Sequence, residues 1–316
     1  MRRREFLLAA ALLAGASRTA AQQPPANARV GRLAHGDTMP RHFYDEALAR
    51  LGWVEGKNLV IERRFGGSTG KQIASAAAEL VAWRPDVIVA LGTIDARPVL
   101  ALTRAFSLPS ARSRASKGLG TSLARPGGSV TGIAAPTGEL VPKLLELARD
   151  LIPGADRVSL LRNPEAPGNV EPPAAVGAAL GLKIAIRGAS RPDELDAAFA
   201  AAASDGDRAM VVQMSPLTFE EPWRVAGLAA RFRLPAVYPV RDYAEAGGLL
   251  SYGPVLSDNF KRCAALVDKI LRGASPAELP FEQPTHYELV VNLKTAKALA
   301  LTIPPSILVR VDEVIE

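Results

Sequence analysis

The stretch from Gly247 to Glu316 constrains the fold more than any other. It reads as a short strand (Leu249–Tyr252), a break at Gly253-Pro254 and an amphipathic helix over Val255–Leu271. An extended crossing punctuated by Pro280 and Pro284 follows, then a strand (Tyr287–Asn292), a helix and a stop at Pro304-Pro305. A chain that leaves a sheet, adds a helix, crosses and returns implies two lobes sharing several crossings of backbone.

The rest of the chain alternates strand and helix. Val30–His35 is an apolar strand ending at Gly36-Asp37, followed by a helix over Pro40–Leu51 and a strand over Leu59–Phe65. Ile73–Trp83 is helical, and Asp86–Leu91 is an unbroken apolar strand before Gly92-Thr93, the pattern of a buried parallel sheet. Arg104–Lys117 interrupts the alternation: it holds basic residues and serines but no acid and no strand-length apolar run. The pattern resumes at the strand Ser129–Ala134 and repeats. Helices fall at Gly138–Leu151, Ala174–Leu180, Pro192–Ala203 and Thr218–Arg233, and strands at Val158–Arg162, Leu182–Arg187, Ala209–Met214 and Ala236–Val240. Two βα halves of similar size predict a cleft, with ligand beyond the carboxyl ends of the strands.

The first 21 residues stand apart from this. Arg2-Arg3-Arg4 is a basic start, Phe6–Ala14 a short apolar core and Thr19-Ala20-Ala21 a small-residue cleavage site, so 1–21 is expected to be a signal peptide cleaved near Ala21. Arg3-Arg4-Glu5-Phe6-Leu7 is similar to a twin-arginine export signal. Removing the segment takes away four Arg and one Glu and lowers the net charge from +6 to +3. The high isoelectric point therefore leans on the leader and does not argue for nucleic acid. A single Cys, Cys263, forbids an internal disulfide and sits on an apolar helical face. Export with one Cys fits the periplasm.

No catalytic constellation stands out. Gly66-Gly67-Ser68-Thr69-Gly70 matches the letters of a nucleophile elbow, but nothing resembling an oxyanion segment precedes it, and a glycine-rich turn is the simpler reading. An exported serine hydrolase using Ser68 remains the alternative. His35, His42 and His286 are too scattered for a metal site, and no cofactor is implied. What remains is a ring of strand ends with small polar groups and aromatics: His35, Thr93, Asn163, Ser215, Tyr238, Tyr243, Tyr252 and Gly253. Backbone N–H groups at the helix starts there suit a carboxylate, and the tyrosines suit a flat ligand or an amine.

Several stretches carry a resemblance: RRREFLLAAALLAG, LGWVEGKNLVIERRF, AAELVAWRPDVIVALGT, SLARPGGSVTGI, LIPGADRVSLLRNP, GGLLSYGPVLSDNF and QPTHYELVVNLKTAKALALTIPPSILVRVDEVIE. Together they resemble the substrate-binding proteins of ABC transporters with the type I periplasmic binding fold, in the tryptophan-binding TrpX-like branch. The resemblance implies an α/β protein of two Rossmann-like lobes with parallel sheets and three hinge crossings. Lobe 1 would be 29–133 plus 254–282, and lobe 2 would be 134–253 plus 283–316. It implies a monomer that closes on a small ligand and delivers it to the membrane permease and ATPase of an importer. A ligand-sensing protein of the same fold is the remaining alternative. His35, Thr93, Asn163, Ser215 and Tyr252 fall at positions that line the cleft in such proteins, and an aromatic or branched amino acid or related small carboxylate is the ligand class implied. The departure is at Phe106–Lys117, where relatives have an IPIVF-type strand and a DPVG-type loop. There the text reads as locally frame-shifted or degenerate, and lobe 1 is expected to lose or distort a strand.

Overall fold

The computed structural model describes residues 27–34, 36, 41–67, 70–90, 93–102, 106–108, 129–134, 140–164 and 173–316. Two sheets organise them. The first takes β1 (Ala28–Ala34), β2 (Leu59–Phe65), β3 (Val87–Ala90), β4 (Phe106–Leu108) and β5 (Val130–Gly132), in the order β2-β1-β3-β4-β5 with every pair parallel. Its helices are α1 (Arg41–Arg50), α2 (Gly70–Ala82) and α3 (Thr93–Leu102).

The second sheet takes β6 (Arg157–Arg162), β7 (Lys183–Gly188), β8 (Met210–Val212), β9 (Ala236–Tyr238), β10 (Leu250–Pro254), β11 (Tyr287–Asn292) and β12 (Glu313–Ile315), in the order β12-β11-β10-β9-β8-β6-β7. Only β10 and β11 run antiparallel. With it go α4 (Leu140–Leu151), α5 (Pro173–Leu180), α6 (Pro192–Ser204), α7 (Pro216–Glu220), α8 (Pro222–Arg231), α9 (Asp242–Glu245), α11 (Leu293–Ala298) and α12 (Pro305–Leu308). The remaining helix, α10 (Leu256–Leu271), follows the second sheet's β10 but packs on the first sheet's unit. We call the units lobe 1 and lobe 2.

Each sheet is buried on both faces, which is why its central strands are continuous apolar runs. In lobe 1, one face packs Val30, Leu59 and Val89 against Tyr44 and Leu48 of α1 and against Phe260, Cys263 and Val267 of α10. The opposite face packs Leu33 and Ile88 against Ile73, Ala77 and Leu80 of α2. In lobe 2, α4 presents Leu144, Leu147 and Leu151 to one face, while α6 and α8 present Leu195, Phe199 and Val225 to the other. The attachment of α10 is also polar. Trp53, almost fully buried, donates Nε1–H to Asp268 Oδ1 at 2.8 Å, and the Arg272 guanidinium lies over its ring.

Three segments join the lobes and bond to one another. Ile133, just after β5, bridges in parallel to Glu282, with Glu282 N donating to Gly132 O and Ala134 N to Glu282 O. The last residues of β10 pair with the first of β11, Pro254 opposite Tyr287, and Val255 N donates to His286 O. The segment 280–287 thus lies between the other two and ties them together.

Three expectations need correction. Gly253-Pro254 does not break its strand, since β10 runs through both residues. An added Cβ at Gly253 would run into the Pro239 carbonyl, so glycine serves close strand approach there rather than a turn. The helix expected over Thr218–Arg233 is two helices, because Pro222 lacks the N–H for a continuous ladder and starts α8 instead. The Phe106–Lys117 text keeps a strand: β4 sits between β3 and β5, with Ser107 opposite Val89 and Thr131. Three residues are enough, because both neighbouring ladders hold them; the rest of that stretch lies outside the described residues. Finally, β12 and α9 have no counterpart in the sequence reading. The proposed signal segment and Ser68 also lie outside the described residues.

Candidate functional site: the cleft between two switch points

Each lobe has one place where strand order reverses. In lobe 1 it falls between β1 and β3, since β2 lies to one side and β4 to the other. In lobe 2 it falls between β6 and β8, with β7 and β9 outside them. The loops leaving such neighbouring strands diverge and open a crevice at the carboxyl ends. His35 and Thr93 follow β1 and β3, while Asn163 and Ser215 follow β6 and β8. Thr93, Asn163 and Ser215 therefore come, in chain order, just after three of the four diverging strands, and His35 after the fourth lies outside the described residues.

The lobes meet here. Helix α7 leaves the end of β8 and carries Phe219 into contact with the lobe 1 core. An added Cβ at Gly36, just past β1, would lie 2.7 Å from Glu220 Oε2, so the next residue of α7 also reaches lobe 1 backbone. Asp95, in the first turn of α3, is fully buried. Burial, and then the negative charge of Glu220, push its carboxyl well above the ordinary aspartate range. Asp95 and Glu220 are thus two carboxylates from opposite lobes that sense one another.

The singled-out residues differ in what their side chains do. Ser215 is buried and caps α7: its Oγ accepts from Thr218 N at 3.2 Å, and Thr218 Oγ1 accepts from Ser215 N at 2.9 Å. Half-buried Asn163 accepts a hydrogen bond from Ser190 Oγ through Oδ1 at 3.2 Å. Thr93 opens α3; His35 lies outside the described residues. Tyr252 is half-buried against the lobe 2 core, its ring 6.0 Å from that of Tyr287. Tyr238 is buried inside lobe 2 and stacked on Tyr243 at 4.7 Å between centroids. Tyr243 in turn donates its hydroxyl hydrogen to the Thr218 carbonyl. Both rings therefore support α7 from below, and neither offers a face to the cleft. Gly253 is core backbone at the start of a crossing.

Sequence reasoning missed Asp95, Phe219 and Glu220. Asp95 stands two residues past Gly92-Thr93 and passes for a solvated helix-start acid. In the sequence, Phe219 and Glu220 read as the first turn of one long helix. The signal that could have found them is Pro222, which predicts a short separate helix between a strand end and itself. As for Gly66-Gly67, Gly67 has a left-handed φ of +62° and Gly66 packs on the backbone of Ile73, which is the geometry of a tight turn. Among the described residues no group of His, Cys, Asp and Glu could hold a metal, and no helix is long and apolar enough to cross a membrane.

Two α/β lobes with facing switch points and a shared hinge define a small-molecule binding protein of the two-lobed kind. The family model for ABC transporter substrate binding proteins matches residues 39–315, and the chain belongs to that family. This is a family of solute-binding proteins rather than enzymes, so the hydrolase alternative falls. A small-molecule ligand and a membrane transporter are its partners. Among solved structures, a conserved domain protein from Vibrio cholerae O1 biovar El Tor is similar with a TM-score of 0.81 and 22% identity, over 92% of this chain and 99% of that one. An ABC domain in complex with L-Trp from Streptococcus pneumonia has a TM-score of 0.77 and 22% identity, over 91% and 100%. A ligand-free, open substrate binding protein with adhesive properties from Clostridium difficile has a TM-score of 0.63 and 20% identity, over 92% and 99%. No match is found among curated proteins.

Proposed function

We propose that this protein is the exported solute-binding component of an ABC importer, closing its lobes on a small ligand, an aromatic or branched amino acid or related carboxylate, and passing it to a permease. The observation that carries the reading is the pair of facing switch points with α7 seated against lobe 1. Ligand would lie between the loops after β1 and β3 on one side and those after β6 and β8 on the other. His35, Thr93, Asn163, Ser215 and Tyr252 would line the site. The L-Trp complex of one similar fold agrees with an aromatic or branched side chain. The segments near 133, 254 and 282 would be the hinges, dividing the chain into 29–133 plus 254–282 and 134–253 plus 283–316. The leader 1–21 would direct a monomer to the periplasm.

Thermal-shift screening of the mature protein against the twenty amino acids and small carboxylates tests this. A ligand present at a hundred times its Kd stabilises by about 2.7 kcal/mol, which is readily seen. If neither an amino acid nor a small carboxylate raises the melting temperature, the reading is wrong.

A further inference from the structure

The crossings between the lobes are held unevenly, and one side-chain contact spans the joint. Residues 280–283 are fastened to lobe 1. Phe281 is buried in its core, Thr131 Oγ1 donates to the Pro280 carbonyl at 3.0 Å, and Glu282 pairs with Ile133. Arg262 of α10 completes the grip, donating from Nε to Glu282 Oε2 at 2.8 Å and from a terminal nitrogen to the Gln283 carbonyl at 2.7 Å. Further on, Val255 N donates to His286 O at 3.1 Å, one step past the Pro254–Tyr287 pair, so His286 extends the β10–β11 ladder of lobe 2. The chain between these two holds is Pro284-Thr285. In the neighbouring crossing Val255 ends that ladder, and Leu256 already starts α10, which is seated on lobe 1. In these two crossings, rotation of one lobe on the other is therefore confined to the Val255–Leu256 link and to Pro284-Thr285. Proline fixes one torsion of the second joint.

Asp258 lies in the first turn of α10, and its Oδ2 is 2.9 Å from His286 Nδ1. The contact therefore runs from a helix that moves with lobe 1 to a residue that moves with lobe 2, past both joints. Its surroundings favour the ionised Asp258: the bond to His286, and then that from Lys261 Nζ at 3.4 Å, hold the carboxyl below the ordinary aspartate range. The His286 side chain is 69% exposed, so the contact stays in water and is weak enough to let go.

We propose that the Asp258–His286 contact is a hinge latch, which holds the lobes in the arrangement seen here and must part for them to swing. This rests on the hinge motion proposed above and adds the residue pair that governs it. Arg262, whose hinge partners lie on the lobe 1 side of the joint, fastens the third crossing without controlling the swing.

An exposed contact of this kind shifts an equilibrium by about two- to fivefold. Losing it should raise the ratio of swung to latched molecules by that factor. Spin labels on the ligand-free mature protein read the ratio, at Lys71→Cys on α2 of lobe 1 and Ala197→Cys on α6 of lobe 2, both exposed positions. Cys263 is buried and escapes the label. Pulsed electron–electron double resonance should show the second distance population growing in Asp258→Ala, in His286→Ala and in the double variant to the same extent, because each loses the same contact. Lys261→Ala, which keeps the pair, should keep the wild-type distribution. Circular dichroism checks that each variant is folded. Two distances in unchanged proportion across the variants overturn the latch and leave the hinge standing. A double variant whose effect compounds the two single ones also overturns it. One narrow distance in every variant means that the lobes do not swing, and the hinge reading then fails with the latch.

Discussion

Replacing Gly248 with alanine tests the layer beneath the cleft. The added Cβ would lie 2.6 Å from Tyr238 Cε2 and 2.7 Å from the Tyr243 carbonyl oxygen. Carbon atoms rest at about 3.5 Å or more, so the Tyr238 ring must retreat by about 0.9 Å. It has little room, because its other face stacks on Tyr243, and Tyr243 holds Thr218 of α7. The carbonyl cannot retreat freely either, since it closes the turn by accepting from Gly248 N. Overpacking of this kind costs about 1–3 kcal/mol, and two rigid neighbours put Gly248→Ala in the upper half of that range. At about 2–4 °C per kcal/mol for chains of this order of size, the melting temperature should fall by about 4–12 °C. Differential scanning calorimetry measures it. Gly227→Ala is the control: Gly227 lies on the exposed face of α8 with nothing within 4 Å of the added atom, so the change should be neutral or stabilising by up to about 1 kcal/mol. A Gly248→Ala protein melting within a degree or so of wild type would refute the packing described, and with it the placement of Tyr238 as support rather than cleft lining.

Asp207→Ala should cost about 1.5–3 kcal/mol, read by urea denaturation. Its fully buried carboxylate accepts from Ser159 and holds Arg187 at 2.6 Å, and its removal leaves that guanidinium with the exposed Asp205 as its remaining carboxylate. Trp53→Phe should cost about 2–3 kcal/mol from a lost charge-assisted hydrogen bond to Asp268 and a small void. It should loosen α10 first, seen as faster amide exchange over 256–271. Asp95→Asn should flatten the acid side of the stability profile. Wild-type stability should decline as pH rises from the ordinary aspartate value through the raised one, because the native state holds the proton longer; the variant should lack that decline in pH-dependent melting.

The alternation of apolar strands with amphipathic helices was legible in the sequence because each central strand is buried on both faces. Tyr287–Asn292 and Leu59–Phe65 were placed to the residue. Edges and joints were less legible. Three-residue β12 is exposed at the sheet edge and carries no apolar period, and β4 is held by its neighbours rather than by its own composition. Strand ends located the switch points, since topology alone puts them there. They did not tell which tyrosine faces inward: Tyr238 and Tyr252 both end apolar strands, and only packing against Gly248 separates them. The carboxylates of the lobe contact were missed because an acid in a helix's first turn has the same local signature whether solvated or buried.

The seating of α10 in lobe 1 bears on the order in which the chain can mature. Tyr44, Leu48 and Trp53 have no complete cover until Phe260–Leu271 exists. A chain emerging amino end first therefore holds lobe 1 unfinished until most of its length has been made. Lobe 2 also waits, for the β11 and β12 strands beyond residue 286. Neither half can settle early, and such long-range contacts make folding slow. That delay keeps the whole chain pliable through synthesis.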